Sequence, residues 1–223
     1  MEKNRNVYLE GMLTGIGIVP SADGHLLARA TLRTAVPKTD AGEKQGVLER
    51  VAWMSHTVLL KCPAEGEPFL RSLCDDIRTG KKPVFCSVNG RLDVVSDRIV
   101  VSCPDAHENL KRKEMLKIRD NNRVEGLEGT VSSVTVSDNQ AVIRLKTGSG
   151  IIPLTTFPGD SSDTWKMVRE GRIQRGNVLS VSGPLLSFPV SDGKRDMDVC
   201  VLSCRHIEKI RMAKTVKKSG PTL

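Results

Sequence analysis

Residues 7–13 read VYLEGML, and residues 124–134 read VEGLEGTVSSV. Both stretches are rich in apolar residues that partly alternate with polar ones, and Glu10-Gly11 in the first matches Glu128-Gly129 in the second. Alternation with a period of two is typical of a β-strand, and a glycine within a strand often marks a bulge or a kink. The chain therefore predicts the same first strand twice, once in each half.

A turn and a second strand follow in both places. The turns at residues 21–24 and 137–139 are built from Ser, Ala, Asp, Asn and Gly, most of which tolerate hairpin geometry. In the second strands, small apolar residues are predicted to face the core: Ala28, Ala30, Leu32, Ala141, Ile143 and Leu145. The intervening positions are largely basic and include Arg29, Arg33, Arg144 and Lys146. We interpret these four as part of a nucleic-acid-binding surface, although basic residues are also ordinary on solvent-facing strands.

The remaining elements recur in the same order. Each copy continues with a third strand (51–61 and 151–157), a helix (68–79 and 162–174), a fourth strand (84–92 and 178–185) and a closing strand ending at Cys103 or Cys204. Five short strands with a helix between the third and fourth is the order of the oligonucleotide-binding (OB) barrel, a partly open Greek key. The sequence therefore predicts an all-β fold with short helices, made of two tandem five-stranded OB barrels.

Charge places the boundaries between these units. The expected division is a first OB domain, a basic linker, a second OB domain and a basic flexible tail, at residues 1–104, 105–122, 123–211 and 212–223. The formal net charge is +8, yet residues 1–110 hold equal numbers of basic and acidic residues. The excess of basic residues lies in segments 111–123 and 205–218. Localised basic segments of this kind favour an acidic partner such as nucleic acid.

Binding of a single strand needs cations for the phosphates and, commonly, aromatic rings for the bases. Trp53 is the best stacking candidate, with a buried packing role as the alternative, and Tyr8 and Phe85 are weaker candidates. The other basic candidates are Lys81, Lys82, Lys111, Arg112, Lys113, Lys117, Arg119, Arg205, Lys209, Arg211 and Lys214. The alternative for these clusters is a solvated linker and a tail kept soluble by its charge.

Catalytic, metal and membrane functions have little support in the sequence. The four histidines are scattered, the six cysteines show no zinc spacing and are interpreted as reduced core thiols, and no phosphate-binding GxxxxGKS loop occurs. No run approaches the roughly 20 apolar residues of a membrane span, and no apolar run follows the charged start. We therefore expect a non-enzymatic protein of the cytoplasm or nucleoid, with no cofactor, metal or membrane contact.

The first copy resembles the bacterial single-stranded-DNA-binding protein family and its primosomal relatives. The resemblance lies in residues 6–13, in Trp53 with residues 56–60, and in residues 80–92, and it extends faintly over 123–210. It implies the OB fold and suggests single-stranded DNA as the ligand. Replicative members usually have one barrel and an acidic tail tip, whereas this chain has two barrels and a tail containing Lys217 and Lys218.

These departures favour an accessory role in DNA replication, recombination or mobile-element transfer. Replication or recombination proteins are expected partners, and self-association is compatible with the role. RNA remains an alternative ligand, because contacts to a 2′-hydroxyl have no signature in this sequence. A different class of function is an adaptor whose barrels bind other proteins, since fold does not fix function.

Overall fold

The computed structural model describes residues 6–21, 25–37, 51–118, 120–158, 163–191 and 196–211. In these ranges the chain forms thirteen β-strands and three short α-helices. The arrangement confirms the predicted class, an all-β protein with short helices that contains two tandem OB barrels. Some of the predicted features lie outside the described residues: residues 22–24 of the turn predicted at 21–24, Arg119, Ser162, and the 212–223 tail with Lys214.

The first barrel is formed by β1 (Val7–Pro20), β2 (Leu26–Pro37), β3 (Val51–Cys62), β4 (Val84–Val95) and β5 (Arg98–Cys103), with α1 (Glu67–Thr79) between β3 and β4. Antiparallel pairing joins β2 to β1 and β3, and β4 to β1 and β5. A short parallel ladder between β3 and β5 closes the barrel. Pro68 lies in the first turn of α1, as predicted, and Gly80 ends the helix in a left-handed conformation.

The second barrel repeats this order. Its strands are β7 (Asn122–Val136), β8 (Ala141–Lys146), β9 (Ile151–Thr156), β10 (Val178–Gly183), β11 (Leu185–Ser191) and β12 (Asp196–Ser203), with α3 (Thr164–Arg169) between β9 and β10. Parallel pairing of β12 with β9 closes this barrel. The predicted fourth strand at 178–185 is divided, because Pro184 has no N–H for the ladder. The helix is shorter than predicted and is followed by Gly171 at φ +67°.

Each barrel also has a further strand after its closing strand, the sixth strand of the first barrel and the seventh of the second. Within the predicted linker lie α2 (Ala106–Asn109) and β6 (Leu110–Lys113), which pairs with β4. The matching strand of the second barrel is β13 (His206–Arg211), which pairs with β10. Residues 110–113 have the sequence LKRK, which resembles a charged linker. The segment is a short edge strand, so one apolar side chain, Leu110, is enough to anchor it in the core.

The repeated glycines permit close packing of neighbouring strands. A methyl group at Gly11 would collide with the backbone of Arg33, and one at Gly129 would meet Leu145 and the backbone of Lys146. The β-bulge expected at these glycines lies three residues further on in both barrels, between Leu13 and Gly15 and between Val131 and Ser133. Its extra residue is Thr14 or Ser132, whose hydroxyl donates to a carbonyl of the next strand. The first strands of the two barrels therefore have their bulge at the same place in the repeat, a position that the sequence pattern did not predict.

The barrels are joined through their first strands. Residues 7–9 of β1 pair antiparallel with residues 122–124 of β7, so one continuous sheet runs through both barrels. A buried polar cluster lies beside this ladder. The Asn122 amide donates to the Leu185 carbonyl at 2.6 Å and to the Thr34 hydroxyl, and its oxygen accepts from the Leu185 N–H at 2.9 Å. The Thr34 hydroxyl also contacts His56 Nε2 at 2.9 Å.

Candidate nucleic-acid interface

The outer face of the first barrel carries a row of residues across five neighbouring strands. In strand order β3, β2, β1, β4 and β6, cross-strand pairing places side by side Ser55, Arg33, Met12, Phe85 and Lys113. Paired residues point to the same side of a sheet, and all five are only half-buried, whereas their neighbours Leu32, Leu13 and Val84 lie in the core. The row therefore presents two adjacent apolar side chains with one cation on each side of them.

The second barrel has an equivalent row. Its members, in the order β9, β8, β7, β10 and β13, are Ile151, Lys146, Thr130, Val178 and Arg211. Cations again occupy the second and fifth places, and Ile151, Lys146 and Arg211 are exposed. The sequence prediction named all four cations of the two rows but not their alignment, because alignment depends on the register between strands that are distant in sequence.

Three aromatic rings lie on the outer face of the first barrel. Trp53 is 37% exposed, and the Arg33 guanidinium lies over its ring, 5.7 Å from the centroid. Phe85 is in the row, and Tyr8 is half-buried with the Arg123 guanidinium 4.9 Å from its ring centroid. The alternative interpretation of Trp53 as a buried packing residue is therefore wrong, whereas Trp165 of the second barrel does pack against the core.

The predicted linker continues from β6 to β7 across the outer face of the first barrel. We call residues 114–118, 120 and 121 the crossing segment. Its Lys117 N–H donates to the Glu10 carboxylate at 2.9 Å, and the side chain of its Asn121 donates to the Ala35 carbonyl at 2.8 Å. Glu10 points outward but is 1% exposed, because this segment covers it. The exposed Lys117 side chain is thereby brought to the same face as Arg33 and Lys113.

Several acidic groups on the outer faces already have hydrogen-bond or ionic partners. Glu10 accepts from the Tyr8 hydroxyl at 2.5 Å, and burial together with this hydrogen bond raises the pKa of Tyr8 to about 12. Glu208 accepts from the hydroxyls of Ser180 and Ser182. Glu125 pairs with Arg123 at 3.0 Å. Among these partners only the Arg123 guanidinium offsets a negative charge, whereas the hydroxyls stabilise the carboxylates by hydrogen bonding.

The other predicted site residues occupy different positions. Arg29 is exposed on β2, two residues before Thr31, and Lys81 and Lys82 are exposed in the turn before β4. Lys111 donates from Nζ to the His107 carbonyl at 3.1 Å, and Arg112 points to the opposite face, where it pairs with Asp76 of α1. Arg205 is exposed before β13, and Lys209 lies within β13. The predicted set is thus divided between the outer faces and other surfaces.

Sequence reasoning did not find Met12, Thr130, Val178 or Arg123. None of these residues is distinctive by type, and only their neighbours in the folded sheet place them beside cations and rings. Arg123 belongs to a basic segment, but its position over Tyr8 follows from the pairing of β7 with β1. A periodicity analysis within single strands has no signal for such pairs.

The described residues include no group of three or more His, Cys, Asp or Glu side chains able to hold a metal ion. Their cysteines are free thiols, and burial raises the pKa of Cys86 to about 11, which keeps it protonated. None of the helices in the described ranges is both long and apolar enough to cross a membrane.

No protein-family model matches the sequence, and no curated protein matches it at a significant level. Among solved structures, the fold is similar to the wild-type single-stranded DNA binding protein from Thermus aquaticus. That likeness has a TM-score of 0.61 at 17% identity and covers 97% of this chain and 98% of the other. A deletion mutant of the same Thermus protein matches with a TM-score of 0.59 at 16% identity, over 92% and 93% of the two chains. These matches show a shared fold over both barrels.

Proposed function

We propose that this protein binds single-stranded nucleic acid, most favourably DNA, through the outer faces of both barrels, and that it has no catalytic activity. The observation that carries the proposal is the repeated row, in which two cations enclose two uncharged side chains in each barrel. The side chains of the rows point away from the core, so core packing does not require the same row in both barrels.

The chemistry of the row suits a single strand. Unpaired bases expose apolar faces that stack on rings and aliphatic side chains, and their phosphates attract Lys and Arg. Adjacent strands are about 4.8 Å apart, so the two cations of a row are separated by about 14 Å across the sheet. Met12 and Phe85 fill that interval in the first barrel. Bases can lie over the centre of the row while the phosphates before and after them reach its two cations.

The adaptor function is the second candidate, and the clustering of cations argues against it as the main role. An interface for proteins is typically depleted of charge at its centre, and Lys is depleted there in particular. The outer faces instead carry Arg33, Lys113, Lys117, Lys146 and Arg211. We further propose the accessory role in replication, recombination or element transfer, in the cytoplasm or nucleoid, with the junction between barrels within residues 105–122.

The test is an equilibrium titration of the full chain with labelled single-stranded DNA at several salt concentrations. We expect log K to fall linearly with log salt, with a slope of about −0.7 for each phosphate contacted. Lys113→Gln should weaken binding and reduce that slope by about 0.7. The matched control is Arg112→Gln, one residue away, whose side chain pairs with Asp76 on the opposite face.

Arg112→Gln should therefore leave the affinity nearly unchanged. An absence of single-strand binding by the unmodified protein at low salt would contradict the proposed function. Equal effects of the two substitutions would contradict the assignment of the row. RNA and duplex DNA of the same length and label, measured in parallel, would rank the three ligand classes.

A further inference from the structure

A groove of about 870 Å³ lies between the barrels and meets the second row at Ile151. One side is the outer face of the second barrel, with Arg144, Ile151 and Pro153. The other side is the tip of the β4–β5 hairpin of the first barrel, with Val94, Ser96 and Asp97. The groove is therefore formed only when both barrels are present in their observed arrangement.

Direct packing fixes the hairpin against the second barrel. Gly150, in the turn between β8 and β9, has φ +146°, a conformation that favours glycine. A methyl group at Gly150 would lie 2.9 Å from Cβ of Val94. The turn and the hairpin consequently meet at van der Waals distance, and one barrel supplies a wall for the surface of the other.

The floor of the groove combines the apolar side chains of Ile151 and Pro153 with the cation of Arg144. Register places Pro153 beside Arg144 and Ile151 beside Lys146. Ile151 is 51% exposed, although it is a large hydrophobic residue in a strand. An exposed apolar surface bordered by cations matches a nucleotide, whose base is apolar on its faces and whose phosphate is anionic.

The hairpin wall carries the opposite chemistry. Ser96 and Asp97 both have positive φ, 49° and 60°, and they form the exposed tip of the hairpin. The Asp97 carboxylate repels phosphates but accepts hydrogen bonds from the amino groups of cytosine, adenine and guanine. Thymine has no amino group. The groove thus has a side suited to phosphate, at Arg144, and a side suited to the edge of a base, at Asp97.

We propose that this groove holds one nucleotide of a bound single strand, with the base over Ile151 and Pro153, the phosphate toward Arg144 and the base edge toward Asp97. The first barrel then completes a site of the second barrel. This inference rests on the proposed function and adds a base preference to it, in favour of bases that carry an amino group over thymine.

The first test substitutes the floor. In the full chain, Ile151→Asp should lower the affinity for a labelled oligo(dC) about tenfold, within the range expected for loss of contact with one base. Val136→Asp is the matched control, since Val136 is an apolar residue of the same barrel, 42% exposed and outside the groove. Thermal unfolding followed by circular dichroism checks that both variants fold. Equal affinities of the two variants would overturn the proposal.

The second test substitutes the wall. Asn tolerates the left-handed conformation of residue 97, so Asp97→Asn preserves the turn. The ratio of affinities for oligo(dC) and oligo(dT) should fall several-fold in this variant, because a neutral amide accepts a hydrogen bond more weakly than a carboxylate. An unchanged ratio would exclude the hairpin from the site. Failure of the unmodified protein to bind either oligonucleotide would instead contradict the proposed function itself.

Discussion

Val7 of β1 lies directly opposite Val124 of β7, and each valine also lies opposite a glycine of its own barrel, Gly90 or Gly183. The two valines are therefore equivalent residues of the repeat, and both are buried. Equivalent residues that face one another across an antiparallel ladder are related by a local two-fold rotation. A single chain thus contains a junction of the kind that joins two identical subunits.

Asn122→Ala should destabilise this junction. Its side chain satisfies both the N–H and the carbonyl of Leu185, so removal leaves two backbone polar groups unpaired in a buried site. We expect a loss of about 2–4 kcal/mol in the free energy of unfolding, measured by urea denaturation. Asn89→Ala, on an exposed position of β4, is the comparison and should change stability by less than about 0.5 kcal/mol. Similar losses in both variants would refute the role of Asn122.

His56 should make stability depend on pH. Burial lowers the pKa of His56 from 6.5 to about 4, so between these values the unfolded chain binds the proton and the folded chain does not. The stabilising contribution is fully present above pH 6.5 and is lost as pH falls through 4, by an amount on the order of 3 kcal/mol. Urea midpoints measured from pH 7 to pH 4 for the wild type and for His56→Gln should converge as pH falls. Parallel curves would show that a group other than His56 causes the pH dependence of stability.

Two glycines of β1 should respond to alanine in opposite ways. Gly11→Ala pushes a methyl group into the backbone of Arg33 and should cost about 1–3 kcal/mol. Gly15 has no atom within 4 Å of the added methyl, so Gly15→Ala should stabilise by up to about 1 kcal/mol through the unfolded chain. Thermal unfolding of the two variants checks both signs. A destabilised Gly15→Ala protein would show that β1 is packed differently at that point.

Trp53→Ala should weaken single-strand binding without changing its dependence on salt. Loss of a stacking ring costs about 1–3 kcal/mol, whereas the phosphate contacts remain. Quenching of tryptophan fluorescence on addition of oligo(dT) should persist in Trp165→Phe and largely disappear in Trp53→Ala, because Trp165 packs against the core. Quenching that instead follows Trp165 would place the bound strand elsewhere.

The sequence allowed accurate predictions where a single strand carries the information. Alternation in β2 and β8 assigned Ala28, Ile143 and Leu145 to the core and Arg29 and Arg144 to the solvent, as the structure confirms. Side-chain direction in a strand depends only on the parity of position, so the prediction needs no partner strand. The helix α1 was predictable for a similar reason, since its cap residues are local.

Features that depend on pairing were not accessible in this way. The sixth strand at Leu110–Lys113 has too few apolar residues to be distinguished from a charged linker, and its register with β4 decides that Lys113 and Arg112 face opposite sides. Glu10 alternates as an outward residue, yet the crossing segment buries it. Both outcomes follow from contacts between segments far apart in the chain.

The pairing of Val7 with Val124 also has a directional consequence. A nucleic-acid strand has a direction, from 5′ to 3′. A two-fold rotation about an axis perpendicular to the sheet reverses the orientation of the second row relative to that direction. A straight strand passing over both rows would contact the second barrel with the opposite polarity from the first. For both barrels to read the same polarity, the strand must reverse its course between them, and the length of that turn sets a minimum number of nucleotides for simultaneous occupancy.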